Sequence, residues 1–313
     1  MQATTRPLII GTRASRLART QTGLVVAMLR AAHGDGLAME VRTSDTEGDR
    51  SQASNAPLAD MAGRGVFVKD LERSLADGSI DLAVHSLKDV TTDLAEGMAI
   101  VAIPQRADPR DVLVTRSAGT LAQLPAGARI GTSSPRRAAQ LAAARPGLDI
   151  SPIRGNVDTR LQKLDRGDYD AVVLAAAGLV RLGLGGRITE YLEPAVCMPD
   201  AGQGALAIEA RADDSAVAAL LAPLDHAGTH AAVTAERALL RCLGGGCSLP
   251  VGTLATLEGA VLTLQAVVCS PNGSAMLRGT ETGPAAEAEA IGGRLAQRLL
   301  DQGAQHLLEG RSS

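Results

Sequence analysis

Hydrophobic positions along this chain fall in short continuous runs that alternate with stretches of helical spacing, a pattern of strands each followed by a helix. Residues 8–11 predict a strand, and Thr12-Arg13-Ala14-Ser15 a turn into a helix. Leu17, Gln21, Leu24, Val25, Met28 and Leu29 then recur at helical spacing to about His33. A second strand is expected over 39–43, and the polar, irregular stretch 44–64 has the length of a functional loop. A helix over 66–76 closes at Asp77-Gly78, and strands follow at 81–84 and 98–103. Pro104 and Pro109 interrupt any regular element, so 104–111 reads as a hinge or crossover.

The pattern then restarts. A strand ends at 129–131, Thr132-Ser133-Ser134 follow, and Pro135 opens a helix carrying Arg136 and Arg137. Serine as N-cap with proline in the first turn is a specific start signal. Strands over 150–153 and 169–175 flank a helix with Arg160 and Lys163. Two βαβ series make two doubly wound α/β units the natural architecture. Residues 197–204 read as a return connection and 205–209 as a strand. From about Ala227 the character changes. A helix over 231–243, strands over 251–257 and 261–269, a turn at Asn272-Gly273 and a helix over 285–300 predict a small α+β domain.

Composition narrows the function classes. At 313 residues the chain exceeds a usual single core, and 45% hydrophobic with 21% charged residues describes an ordinary soluble protein. A net charge of -3, with one Phe, two Tyr and no Trp, speaks against nucleic acid and membrane surfaces as partners. The apolar run at 8–10 is too short for an export signal, and no run approaches a membrane span. Four cysteines without a CxxC pair lead to the expectation of a cytoplasmic protein with reduced thiols.

Candidate chemistry sits at the strand ends. In open α/β sheets, ligands bind beyond the carboxyl ends of the strands. The stretch DLAVHSLKDVT at 81–91 ends a strand and then places His85, Ser86, Lys88 and Asp89 in quick succession. Arg13, Arg136, Arg137, Arg154, Arg160 and Arg181 all fall at or just after predicted strand ends. Arg13 and Ser15 occupy a strand-to-helix junction, where free backbone N–H groups favour an anion. One such arginine is ordinarily solvated; six in equivalent places point to a polyanionic ligand gripped through carboxylates or phosphates. No GxxxxGK[ST] loop is present, which argues against a nucleoside triphosphate. Cys247 follows three glycines that let the backbone bring its thiol forward, although a free cysteine is more often a small buried hydrophobe. His226, His230, Cys242 and Cys247 match no common zinc spacing, so no metal is expected.

Ten motifs in order carry a resemblance. They are TRASRLA at 12–18, GRGVFVKDLE at 63–72, DLAVHSLKDV at 81–90, DPRDVLV at 108–114 and IGTSSPRR at 130–137. IRGNVDTRLQKL at 153–164, YDAVVLAAAGLVRLGL at 169–184, AGQGAL at 201–206, TAERALL at 234–240 and GGCSLPVG at 245–252 complete the set. Through them the chain resembles the porphobilinogen deaminase (hydroxymethylbilane synthase) family over nearly its whole length.

The resemblance implies three domains: two resembling periplasmic binding proteins, over 1–104 with 205–222 and over 105–204, and a third over 223–313. It assigns Cys247 to the thioether anchoring a dipyrromethane cofactor and Asp89 to the catalytic carboxylate. Arg13, Ser15, Lys88, Thr132, Ser134, Arg136, Arg137, Arg154, Arg160 and Arg181 match positions that bind carboxylates of cofactor and substrate. Porphobilinogen is the implied substrate, the linear tetrapyrrole hydroxymethylbilane the product, and a cytoplasmic monomer the implied form. Two departures stand out: Asp60, where the family often has lysine, and Arg64, where it has lysine between glycines. A cytoplasmic polyanion sensor with the same two-lobed fold is the competing reading; it needs neither Cys247 nor Asp89.

Overall fold

The computed structural model describes residues 6–44, 68–117, 119–245 and 249–309. Cys247, Asp60, Arg64 and all but the first residue of the 44–64 loop lie outside the described residues. The chain begins with β1 (Leu8–Arg13), α1 (Arg16–His33), β2 (Met39–Ser44), α2 (Lys69–Ala76), β3 (Leu82–Ser86) and β4 (Met98–Ala102). The middle holds β5 (Asp111–Thr115), β6 (Arg129–Gly131), α3 (Pro135–Ala144), β7 (Asp149–Ser151) and α4 (Val157–Arg166). It continues with β8 (Ala171–Ala175), α5 (Ala176–Arg181) and β9 (Glu190–Leu192). Then come β10 (Leu206–Arg211), α6 (Ser215–Leu221), α7 (Ala227–Cys242) and β11 (Val251–Glu258). β12 (Val261–Cys269), β13 (Met276–Pro284), α8 (Ala288–Asp301) and α9 (Ala304–Leu308) end the described chain.

Two compact units result, Met1–Arg106 with Ala205–His230, and Ala107–Gly204 with Ala231–Ser313. The first holds a five-stranded sheet in the order β2-β1-β3-β10-β4, with β1 parallel to β2 and β3 and β10 antiparallel to its neighbours. Central strands of such sheets are covered on both faces and therefore read as near-continuous apolar runs, as LIIGTR and LAVHS do. Leu8, Ile10, Leu82 and Val84 pack on Val25 and Leu29 of α1, while Ile9 and Ala83 pack on Leu71 and Leu75 of α2.

The second unit repeats the plan. Its sheet runs β7-β6-β8-β5-β9, with β6 parallel to β7 and β8 and β5 antiparallel to β8. Leu141 of α3 covers one face, and Leu161 and Leu164 of α4 with Leu179 of α5 cover the other. The α/β class with two doubly wound sheets is as expected. Two strands of this unit, β5 and β9, were not expected: Asp111, read as the end of the 104–111 hinge, is the first, fully buried residue of β5. Proline signals hid that strand start.

The same unit carries an antiparallel sheet, β11-β12-β13, packed on α7 and α8 through Leu239, Leu264, Ile291 and Leu295. It has a third strand where two were expected, since β13 (MLRGTETGP) is mostly polar and half-exposed. The turn before β13 depends on Gly273, whose φ of 72° suits glycine. A Cβ there would lie 2.2 Å from the Ala139 carbonyl oxygen on α3.

Gly259 also has a positive φ, of 60°, but faces open space. Gly259→Ala is therefore expected to lose about 1–2 kcal/mol from backbone strain alone, and Gly273→Ala clearly more. Urea unfolding measures both; equal losses would contradict the close seating of the turn on α3.

Candidate functional site

In the first unit the carboxyl ends of the three parallel strands are Arg13, Ser44 and Ser86. A single 3-10 turn, Leu87–Asp89, continues β3. Leu87 is fully buried and its N–H donates to the Ala205 carbonyl at 3.0 Å, so the turn is pinned from below while Lys88 and Asp89 stay half-exposed. Arg13, Ser15, Gln21, His85, Ser86 and Asp89 line one small hollow of ≈ 50 Å³. Ser15 caps α1, its Oγ accepting from the Ala18 N–H at 3.3 Å, and the buried Gln21 donates to Ser86 Oγ at 2.9 Å. Among the described residues no hydrogen bond or ion pair holds the Asp89 carboxylate.

In the second unit the equivalent strand ends are also joined by polar groups. Ser133 Oγ donates to the Ile153 carbonyl at 2.7 Å, tying the exits of β6 and β7 together. Thr132 Oγ1 accepts from the Ser134 N–H at 3.2 Å, and Ser134 Oγ caps α3. Arg154 is exposed, and Arg160 Nε donates to the Gly155 carbonyl at 2.8 Å. Arg181 Nη2 donates to the Gly204 carbonyl at 2.7 Å, and burial lowers its pKa to about 10. No carboxylate among the described residues offsets that charge.

Arg136 and Arg137 are not the open forks the sequence led us to expect. Both are buried against Asp111, itself fully buried at the start of β5. Arg136 Nη1 lies 2.6 Å from Asp111 Oδ2 and donates also to the Met198 carbonyl. Arg137 donates to Asp111 Oδ1 through Nε at 2.9 Å and Nη2 at 2.6 Å. Gln203 and the Cys197 thiol complete the shell around the carboxylate. Burial pushes the Asp111 carboxyl upward, but the two guanidinium groups outweigh it and hold it well below the usual carboxylate range. Burial, aided by Asp111, pushes Cys197 up to about 12, so that thiol stays neutral. The charge of Asp200, also buried, acts on Arg136 as well, so the two guanidinium groups here face carboxylates of the protein itself.

Among the buried polar residues that the sequence left unassigned are Gln21, Asp111 and Glu209. Glu209 carried a usable signal, an acidic residue inside the apolar strand LAIEAR. An open hollow in the second unit, lined by Arg129, Ser151, Lys163, Asp168 and Tyr169, contains none of the predicted site residues, and Arg129 there is paired with Asp149. Among the described residues there is no cluster of metal-ligating side chains and no helix long and apolar enough to cross a membrane.

Two family models match the chain. Residues 8–219 match "Porphobilinogen deaminase, dipyromethane cofactor binding domain", and residues 230–301 match "Porphobilinogen deaminase, C-terminal domain". The chain is 52% identical over 303 residues to a porphobilinogen deaminase of Roseiflexus sp. (strain RS-1), covering 97% of this chain and 99% of that one. It is 49% identical over 306 residues to that of Syntrophobacter fumaroxidans, covering 98% of each. The chain belongs to the porphobilinogen deaminase family. Among solved structures, a putative methionine-binding lipoprotein from Bacillus subtilis aligns over 70% of this chain and 89% of its own at 12% identity, with a TM-score of 0.44.

Family membership makes this a transferase of tetrapyrrole synthesis with a dipyrromethane-binding segment. The residues present fit such a group. A dipyrromethane brings carboxylates, and Arg181 is a partly desolvated cation joined to a backbone carbonyl, with no carboxylate among the described residues offsetting its charge.

Asp111→Asn tests the triad. Removing one partner of a buried ion pair leaves uncompensated charge, so a loss of about 3–5 kcal/mol is expected. Because the folded Asp111 value is depressed, its contribution is complete above the unfolded value of 3.8 and is lost as pH falls below it. Acid titration of stability should accordingly be shallower below about pH 4 in the variant. An unchanged acid slope would contradict the assignment.

Proposed function

We propose that this chain joins four porphobilinogen molecules head to tail, releasing one ammonia at each addition, to form hydroxymethylbilane on a dipyrromethane primer attached to Cys247. One observation carries the reading. The Asp89 carboxylate stands without a protein partner among the described residues, in a hollow shared with Arg13, at the carboxyl edge of a doubly wound sheet.

Each residue then has a task set by its chemistry. Arg13 and Lys88 bind the acetate and propionate of the incoming pyrrole, with Ser15 and the start of α1 adding polar contacts. Asp89 accepts the pyrrole N–H and stabilises the positive charge that grows on the substrate as its C–N bond breaks. Arg154, Arg160 and Arg181 bind carboxylates at the edge of the second sheet, where Thr132 and Ser134 contribute hydroxyls. Arg136 and Arg137, through Asp111 and the Met198 carbonyl, hold in place the structure on which that edge is built. When bound, the dipyrromethane supplies the nucleophilic pyrrole carbon at which the chain grows. Burial pushes Cys197 up to about 12 and Cys269 up to about 11, which disfavours both as the reactive thiol a thioether needs; of Cys247 and the exposed Cys242, the three glycines before Cys247 favour it as the anchor. A three-domain, cytoplasmic monomer with boundaries near 104, 204 and 222 completes the reading. A polyanion sensor would have no use for an unpaired carboxylate among cations, which would only repel its ligand.

Asp89→Asn keeps the side chain's size and removes its charge. A carboxylate acting on a charge formed only during reaction affects turnover far more than binding. Single-turnover release of ammonia should slow by on the order of 10²–10³, with Asp89→Glu intermediate. Wild-type rates in Asp89→Asn would end the catalytic assignment.

A further inference from the structure

The first unit buries a second titratable pair beneath the hollow that holds Asp89. His85 is almost wholly enclosed, and its Nε2 lies 2.9 Å from Oε2 of Glu209, which is fully buried on the neighbouring strand β10. The register explains the meeting. Glu209 pairs with Ala83 and Ala207 with His85, so His85 and Glu209 are diagonal neighbours on the face that packs against α2. The second oxygen, Glu209 Oε1, is buried with no partner among the described residues. From α2, Glu72 approaches the pair, and burial together with the charge of Glu209 raises its carboxyl above the usual range. His85 also lines the hollow, facing Arg13 of β1 and Asp89 of the turn.

Such a pair is a costly way to fasten two strands. Well-packed apolar residues would hold β3 to β10 at least as firmly, and the orphaned oxygen adds a desolvation penalty. What the pair does provide is a defined tautomer. With the Nε2 proton donated to Glu209, Nδ1 carries the lone pair, and no described residue bonds it. A histidine oriented by a buried carboxylate is a proton acceptor whose charged form has a partner waiting.

The proposed reaction needs one. At each addition the substrate's C–N bond breaks, with the electron pair leaving on ammonia. A C–C bond then forms at a pyrrole α-carbon, and the proton on that carbon must depart. Asp89, occupied with the developing positive charge, leaves that proton without an acceptor. We propose that the His85–Glu209 pair takes it. His85 Nδ1 accepts the proton, the Glu209 carboxylate holds the resulting imidazolium, and the proton passes on to the released ammonia or to water, restoring the neutral ring. His85 is then a second catalytic residue and Glu209 its positioning residue. This inference rests on the function proposed above.

The test uses the cofactor-loaded enzyme and porphobilinogen deuterated at its free α-carbon. His85→Gln keeps a donor for Glu209 but cannot take up a proton. Turnover should fall by on the order of 10²-fold with KM and the bound-cofactor mass little changed. Proton loss should become rate-limiting, so a deuterium isotope effect absent from the wild type should appear. Glu209→Gln should show the same effect more weakly. Wild-type turnover in His85→Gln, or equal slowing with both substrates, would overturn the proposal. Should His85→Gln fail to fold, nitrogen-15 spectra of the five histidines in wild-type holoenzyme decide the matter. A His85 ring with a free Nδ1 lone pair at working pH supports the role, and one protonated on both nitrogens throughout the active range refutes it. Failure of the underlying reading looks different, since the wild type itself would then release no ammonia from porphobilinogen.

Discussion

A carboxylate enclosed in a protein interior is tolerated when cations and donors replace the water it has lost. Asp111 meets that condition with two guanidinium groups, a glutamine amide and a thiol. The arrangement fixes more than its own surroundings. It locks the start of β5 to the first turn of α3, and through Met198 and Gln203 it holds the segment that leads away from this sheet.

The first unit solves a related problem with fewer charges. Its sheet must end three parallel strands and still present Lys88 and Asp89 at a fixed height. A buried leucine at the centre of a one-turn helix and a backbone bond to Ala205 achieve this. Gln21 and Ser86 join α1 to the end of β3, so the rim on which Arg13 and Ser15 sit does not depend on the ligand for its shape. Preorganised groups of this kind stabilise charge without moving, which is the condition for electrostatic catalysis.

Much of this was legible from residue order. Apolar runs ending in polar residues predicted the parallel strands, and Ser134-Pro135 marked the start of α3 because capping chemistry is local. Asp89, Arg13 and Ser15 were found for the same reason: each lies at the end of a strand or within three residues of it. The roles of Arg136 and Arg137 were not legible, because their partner is 25 and 26 residues away on an antiparallel strand hidden behind two prolines. Glu209 meets His85 across 124 residues, and nothing local announces a contact at that separation. Mostly polar β13 was missed because its half-exposed side chains lack clean alternation.

On the proposed function, this cationic edge serves a covalently held pyrrole chain. The intact mass of the purified protein addresses it most directly. The account predicts an excess over the sequence mass equal to two deaminated pyrrole units, abolished by Cys247→Ser and retained when the exposed Cys242 is replaced instead. A wild-type mass equal to that of the bare sequence, or an excess that survives Cys247→Ser, would contradict it.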